Sequence, residues 1–121
     1  MRRALSILML CAISIADRAL AHDLRACLDH PQLAGACWNI RGKVTLWNGN
    51  PSVRIWPVGT KRILGVRDAD PMLIPGELAK SLSWETASYA NLRVCPLTAE
   101  RPGHMQIVCV ASVKDIEVRP K

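Results

Sequence analysis

The chain has 121 residues, a formal net charge of +6 at pH 7 and no phenylalanine. This length is that of one folded domain. The basic excess favours contact with anionic surfaces, but it does not identify one.

The first 21 residues have the organisation of a secretory signal peptide. Arg2 and Arg3 form a charged start, residues 4–16 are apolar, and residues 19–21 are a small-x-small cleavage site, Ala-Leu-Ala. An apolar run of 13 residues is too short to span a membrane. We therefore expect an exported protein, periplasmic or secreted, that has no stable membrane anchor after cleavage.

Cleavage after Ala21 would leave residues 22–121, with 13 Lys and Arg against 9 Asp and Glu. We divide them into a lead-in segment, 22–36, and a single disulfide-stapled β domain, 37–121. For an exported basic protein, the expected partners are envelope glycans, phospholipid headgroups or an acidic protein. Nucleic acid would be the first choice only for a cytoplasmic protein.

Four cysteines remain after loss of the leader: Cys27, Cys37, Cys95 and Cys109. An even number in a small exported domain predicts two disulfides, with three possible connectivities. Proximity in the sequence favours Cys27–Cys37 and Cys95–Cys109. A turn centred on Pro102 would also place Cys95 opposite Cys109 in a hairpin. Zinc binding is the alternative, but no Cys-x-x-Cys spacing supports it.

Apolar and polar residues alternate from Trp38 to Leu46, which predicts a strand with one buried and one solvated face. The central Gly42 indicates a bulge or a bend. Asn48–Pro51 has the composition of a turn, and Ser52–Val58 and Lys61–Val66 are the second and third predicted strands.

With a four-residue loop at 48–51, Thr45 would lie opposite Arg54 and Lys43 opposite Trp56. A two-residue turn at Asn48 and Gly49 would shift each pair by two and keep the same face assignment. Val44 and Ile55 then share the buried face. The solvated face carries a basic and aromatic set that is our candidate binding site: Arg41, Lys43, Trp47, Arg54 and Trp56.

The second half of the chain predicts a short helix and further strands. Pro75 at a first helical position and the spacing of Leu78 and Leu82 indicate about two helical turns. The strand predictions that follow are Tyr89–Val94, a central strand Met105–Val113 and a short edge strand Asp115–Arg119.

The resulting order, three strands, a helix and two strands, matches an OB-fold-like five-stranded barrel with its helix between strands 3 and 4. The first strand, broken by glycine, would serve both sides of the barrel. The alternative is an immunoglobulin- or transthyretin-like β-sandwich, in which the helix would be incidental.

The segment NGNPSVRIWPVGTKRILGV, with the later VCPLT and PG-x-MQ-x-VCV, resembles a group of short exported bacterial proteins of unknown function. The resemblance covers most of residues 22–121. It implies export and a single domain, and it brings no activity, ligand or catalytic residue.

The basic, Trp-bearing face predicts non-covalent binding, with an anionic envelope glycan as the first candidate ligand. The structural alternative is that these side chains only cover and solvate the sheet. A second function class is a small exported inhibitor or subunit, docking through the same face or through the loop Asp68–Pro75. A third is Cu(II) binding by an N-terminal His22, helped by another histidine.

No catalytic motif supports an enzyme. The chain has no Gly-x-Ser-x-Gly, no His-Glu-x-x-His and no phosphate-binding glycine-rich loop. Oxidised cysteines would leave no thiol nucleophile. We predict no catalytic residues and no cofactor.

Overall fold

Five strands and one short helix organise the β domain. A computed structural model describes residues 25–68 and 73–121. Within these ranges the helix Gly76–Ser81 lies between the third and fourth strands. The strands are β1 (Trp38–Leu46), β2 (Val53–Pro57), β3 (Leu64–Val66), β4 (Thr86–Pro96) and β5 (Gln106–Pro120).

One mixed sheet closes in a ring with the strand order β1-β2-β3-β5-β4. Neighbouring strands are antiparallel, except that β3 and β5 are parallel over two residue pairs, Leu64–Gln106 and Gly65–Ile107. The ring closes because β1 pairs with β2 along one edge and with β4 along the other. The predicted OB-fold-like topology is therefore confirmed. The sandwich alternative is wrong, because all five strands belong to one sheet.

The β1–β2 hairpin has the predicted register. Thr45 pairs with Arg54 and Lys43 pairs with Trp56, so the four-residue loop at 48–51 is correct. β1 has its predicted limits. β2 is one residue shorter than predicted at each end and stops at Pro57, whose nitrogen cannot donate to a ladder.

The interior of the ring is filled by aliphatic side chains. Val, Ile and Leu from all five strands converge there, and the helix adds Leu78, which is fully buried. The largest of these fully buried residues are Val44, Val53, Ile55, Leu64, Val66, Leu78, Leu92, Val94, Val108 and Val110. In place of phenylalanine, many small branched side chains pack closely together in the core.

Gly42 is the first residue of β1 that pairs on both edges, with Pro57 of β2 and Ala90 of β4. The register of β1 is unbroken there, so the predicted bulge is absent. A Cβ at this position would lie 2.8 Å from Ile55 Cγ2 and 2.9 Å from Leu92 Cδ1. Glycine is required here for close packing across the narrow ring.

The predicted central and edge strands near the C-terminus form one continuous strand, β5. Its ladder with β4 shifts register between Tyr89 and Asn91, where Asp115 has a positive φ of 54°. Asn91 Nδ2 donates to Asp115 Oδ2 at 2.9 Å, which holds this bulge. The sequence prediction divided β5 because the bulge interrupts the alternation of side chains.

The helix is shorter than predicted and begins one residue later. Pro75 is the N-cap, with extended backbone, and the helix covers six residues before Leu82 returns to extended backbone. Leu78 packs on the core, and Ser81 Oγ lies 2.8 Å from Ser88 Oγ on β4. The helix therefore depends on tertiary contacts, as expected for so short a segment.

Two disulfides are present, but the predicted pairing is wrong. The pairs are Cys27–Cys109 and Cys37–Cys95, with Cα–Cα distances of 5.6 and 4.1 Å. Cys95 does lie directly opposite Cys109 in the β4–β5 ladder, as the hairpin argument predicted. The adjacent register of Trp38 with Val94 also places Cys37 beside Cys95, on the other edge of β4.

Closure of the ring therefore decides the connectivity. Cys95 bonds to Cys37 across β1 and β4, and Cys109 bonds to the fully buried Cys27 of the lead-in segment. Proximity along the chain failed as a guide because β1 and β4 are neighbours in the ring and far apart in sequence.

No helix in residues 25–68 and 73–121 is long and apolar enough to cross a membrane. The predicted leader and His22 lie outside the described residues, as do residues 69–72 of the loop Asp68–Pro75.

Candidate functional site

The outer face of the β1–β2 hairpin brings two tryptophans together. Trp47 follows β1 and Trp56 lies near the end of β2, and their ring centroids are 5.8 Å apart with planes inclined by 44°. Aromatic pairs prefer such tilted arrangements. The period of two and the loop length predicted this shared face correctly.

The orientation of Trp47 is fixed by Thr45, two residues before it in β1. Its indole Nε1 donates to Thr45 Oγ1 at 2.8 Å, and Thr45 is 2% exposed. The Trp47 side chain itself is 40% exposed. A buried hydroxyl therefore holds an accessible ring in one position.

Two cations lie over the Trp47 ring. Arg54 Cζ is 4.9 Å from the ring centroid, and its Nε donates to the carbonyl of Pro51 at 3.3 Å. Lys121 Nζ is 5.9 Å from the same centroid and donates to the carbonyl of Leu46 at 3.1 Å. Both distances fall in the range of cation–π contacts.

Lys121 was missed at the sequence level. Its position depends on the course of β5, which the bulge at Asp115 obscures, and no local pattern links residue 121 to residue 47. Only the register of β5 with β4 would have indicated that Lys121 lies near Trp47.

Lys43 lies on the same outer face, between Trp56 of β2 and Tyr89 of β4, with which it pairs in the two ladders. It is half-buried. Among the described residues, no carboxylate lies within ion-pair distance of its ammonium group.

Arg41, the fifth predicted site residue, has a different environment. Its guanidinium donates to Asn91 Oδ1 at 3.2 Å and to the carbonyl of Asp115 at 2.9 Å, and lies 3.7 Å from Glu117. These contacts stabilise the β5 bulge, and the nearby Glu117 carboxylate neutralises the charge of Arg41. The structure thus brings together Lys43, Trp47, Arg54, Trp56 and Lys121, which we call the Trp/Arg surface, and leaves Arg41 outside it.

Glu117, an acidic residue on the same sheet face, is already paired. Glu117 accepts a hydrogen bond from Arg119 at 2.9 Å. The pKa of Glu117 is lowered by that hydrogen bond, by the charge of Arg119 and, to a smaller extent, by Arg41, against a small opposing effect of burial. The same pairing raises the pKa of Arg119, which also lies 4.5 Å from the Tyr89 ring centroid.

In the part of the chain that the structure describes, histidine and carboxylate side chains do not converge on a metal site. Residues 25–68 and 73–121 hold no group of three or more His, Cys, Asp or Glu arranged to bind a metal ion. His30 accepts a hydrogen bond at Nδ1 from the backbone of Gln32. The Cu(II) hypothesis concerns His22, which lies outside the described residues.

Comparison of the chain with protein-family models, with curated proteins and with solved structures found no match. The class of protein is therefore defined by its own architecture, a disulfide-stapled OB-fold-like β domain. Its most distinctive surface is the basic, aromatic outer face of the first hairpin.

Proposed function

We propose that this protein is an exported binding domain that recognises an anionic glycan of the cell envelope through the Trp/Arg surface. The observation that carries the proposal is the Trp47–Trp56 pair, held 5.8 Å apart with Arg54 over Trp47. Aromatic rings stack on the apolar faces of sugars, and adjacent cations bind their anionic substituents.

The electrostatics of the surface support an anionic ligand. In the described part of the chain, Lys43, Arg54 and Lys121 form no ion pair with a carboxylate. Glu117, on the same sheet face, is already held by Arg119 and Arg41. The surface therefore carries uncompensated positive charge, which attracts anions at low salt.

The covalent structure supports export. Two disulfide-bonded pairs are consistent with an oxidising compartment outside the cytoplasm, and they agree with the signal-peptide pattern of residues 1–21.

The test compares Arg54→Ala/Trp56→Ala with the unaltered protein for binding to immobilised polygalacturonate and to isolated cell-envelope polysaccharide. We expect a loss of affinity of at least tenfold, since one cation–π contact and one stacking ring are removed. The thermal midpoint should stay nearly unchanged, because both side chains lie on the outer face.

A matched control exists elsewhere on the ring. Arg62 lies over the half-buried Trp38 at 5.9 Å from its centroid, so Trp38→Leu/Arg62→Ala removes the same residue types from another place. It should bind as the unaltered protein does. Equal binding by Arg54→Ala/Trp56→Ala would reject the proposal.

The alternative ligand of the same surface is an acidic loop of a protein partner, which would make the chain an inhibitor or subunit. Exposed Trp and Arg side chains are typical of interface hot spots. Capture of one acidic protein at 1:1 stoichiometry from an envelope fraction, lost in Arg54→Ala/Trp56→Ala and without polysaccharide binding, would support this alternative.

A further inference from the structure

Three outward side chains from three adjacent strands form a row across the sheet. Trp56 of β2 pairs with Lys43 of β1, and Lys43 pairs with Tyr89 of β4. Residues directly opposite on neighbouring strands have Cβ atoms about 5 Å apart, so Lys43 has an aromatic residue beside it on each neighbouring strand. Arg119 also contacts the Tyr89 ring, with its Cζ 4.5 Å from the ring centroid.

This row forms part of a surface depression. Lys43, Trp56 and Tyr89 line it together with the turn at residues 57–60, and its volume is about 300 Å³. That volume is at the lower end for small-molecule sites, which suits one sugar residue.

The turn that closes one side of the depression is held firmly. Val58 N donates to the carbonyl of Arg41 at 2.8 Å, which ties the turn to β1. Thr60 donates to the carbonyl of Pro57 from both its backbone nitrogen and its Oγ1, at 3.1 and 2.8 Å. Gly59 provides the positive φ of 83° that the turn requires. The depression is therefore preorganised, which reduces the entropy lost on binding.

The charges around the depression indicate which kind of ligand it would bind. Lys43 has no carboxylate partner in the described part of the chain, and Glu117, opposite Tyr89 in the β4–β5 ladder, is held by Arg119. A half-buried ammonium beside aromatic faces binds an anionic group more strongly than one in open water.

We propose that the depression is a subsite for an acidic sugar residue, whose carboxylate binds Lys43 while its ring packs between Trp56 and Tyr89. This inference rests on the proposed function and adds to it a specificity for acidic sugar residues. Trp56 borders both the depression and the Trp47 ring, so the ligand has at least two sugar residues, one at each place.

The test uses oligogalacturonate and its methyl ester, which share one sugar skeleton and differ in charge. Titration calorimetry with both probes would be run on the unaltered protein, Lys43→Gln, Lys43→Arg and Trp47→Ala. Lys80→Gln removes one positive charge from the exposed surface of the helix and serves as the matched control.

We expect Lys43→Gln to weaken oligogalacturonate binding about tenfold, as for loss of one charge-assisted hydrogen bond. Binding of the methyl ester should be unchanged in that variant. Lys43→Arg should restore most of the affinity, Trp47→Ala should weaken both probes, and Lys80→Gln should weaken neither.

The possible failures are distinguishable. If Lys43→Gln binds oligogalacturonate as the unaltered protein does while Trp47→Ala loses both probes, the subsite is wrong and the proposed function stands. An equal loss of both probes in Lys43→Gln also overturns the subsite, because Lys43 would then act without regard to ligand charge. If the unaltered protein binds neither probe nor envelope polysaccharide, the proposed function falls and the subsite with it.

Discussion

At the scale of single residues, the charges of the outer sheet face are divided into compensated and uncompensated groups. Glu117 is held by Arg119 at 2.9 Å and approached by Arg41 at 3.7 Å. Lys43, only two positions from Arg41 on β1, has no such partner among the described residues. The β5 bulge presents the Asp115 carbonyl to Arg41, and the Arg41 side chain also reaches Glu117, which lies opposite Tyr89 in the β4–β5 ladder.

The Glu117–Arg119 pair predicts a measurable titration. In Arg119→Gln, the pKa of Glu117 should rise towards the ordinary value of 4.5, because the principal hydrogen bond and charge are removed. Carboxyl carbon NMR shifts measured against pH would show it. Since the folded-state pKa is lowered, the pair stabilises the fold above 4.5, and this contribution disappears as the pH falls through the folded-state pKa. A pKa of Glu117 that is the same with and without Arg119 would contradict the assigned cause.

Thr45 predicts a positioning effect on Trp47. Thr45→Val keeps the shape of the side chain but removes the acceptor for the indole Nε1, 2.8 Å away. We expect a loss of about 1 kcal/mol in the free energy of unfolding and a shift of the Trp47 indole NH resonance. Glycan affinity should fall as well. Thr45→Ser retains the oxygen and should restore the resonance and the affinity.

At the scale of elements, β1 is the strand on which both the ring and the site depend. It pairs with β4 over residues 38–44 and with β2 over residues 42–46, so the two stretches overlap at residues 42–44. Ring closure at Gly42 leaves no room for a side chain, because Ile55 and Leu92 approach from inside.

Gly42→Ala should therefore destabilise the fold by about 1 to 3 kcal/mol, as for overpacking of a core. Denaturant unfolding would measure the change. Gly76→Ala is the matched control, since a Cβ there meets nothing within 4 Å and the residue is helical. It should leave stability unchanged or raise it slightly. Equal effects of the two substitutions would contradict the packing argument.

The first hairpin was predictable because its information is local. A strict alternation from Trp38 to Leu46 and the turn residues 48–51 determine which side chains share a face, and the ladder confirms each pairing. β5 was not predictable in the same way. Its bulge at Asp115 depends on hydrogen bonds from Asn91 and Arg41, which lie 24 and 74 positions away in sequence.

At the scale of the whole molecule, the disulfides connect distant parts of the chain. Cys27–Cys109 closes a sequence separation of 82 residues and Cys37–Cys95 one of 58. The sequence argument compared only neighbouring cysteines, although the predicted barrel topology already implied that β1 and β4 are adjacent. The disulfide pairing thus depends on which strands become neighbours when the ring closes, and local sequence patterns do not show this.

Each disulfide should contribute about 4 to 5 kcal/mol to stability in the chain-entropy model, because long loops are closed. Cys27→Ala/Cys109→Ala and Cys37→Ala/Cys95→Ala should each lower the free energy of unfolding accordingly, as measured with denaturant. Peptide mapping of the non-reduced protein should recover Cys27 linked to Cys109. A peptide that links Cys95 to Cys109 would contradict the connectivity.

The Trp/Arg surface and the two disulfides lie at opposite ends of the ring, which we call the aromatic pole and the cystine pole. Cys37 precedes β1 and Trp47 follows it, which sets them about 30 Å apart along an extended strand. The exposed turn around Gly103, which joins β4 to β5, belongs to the cystine pole. A dye, an immobilising tag or an inserted epitope at Gly103 would leave the opposite pole accessible, so the protein could be oriented on a biosensor chip with its aromatic face presented to the solution.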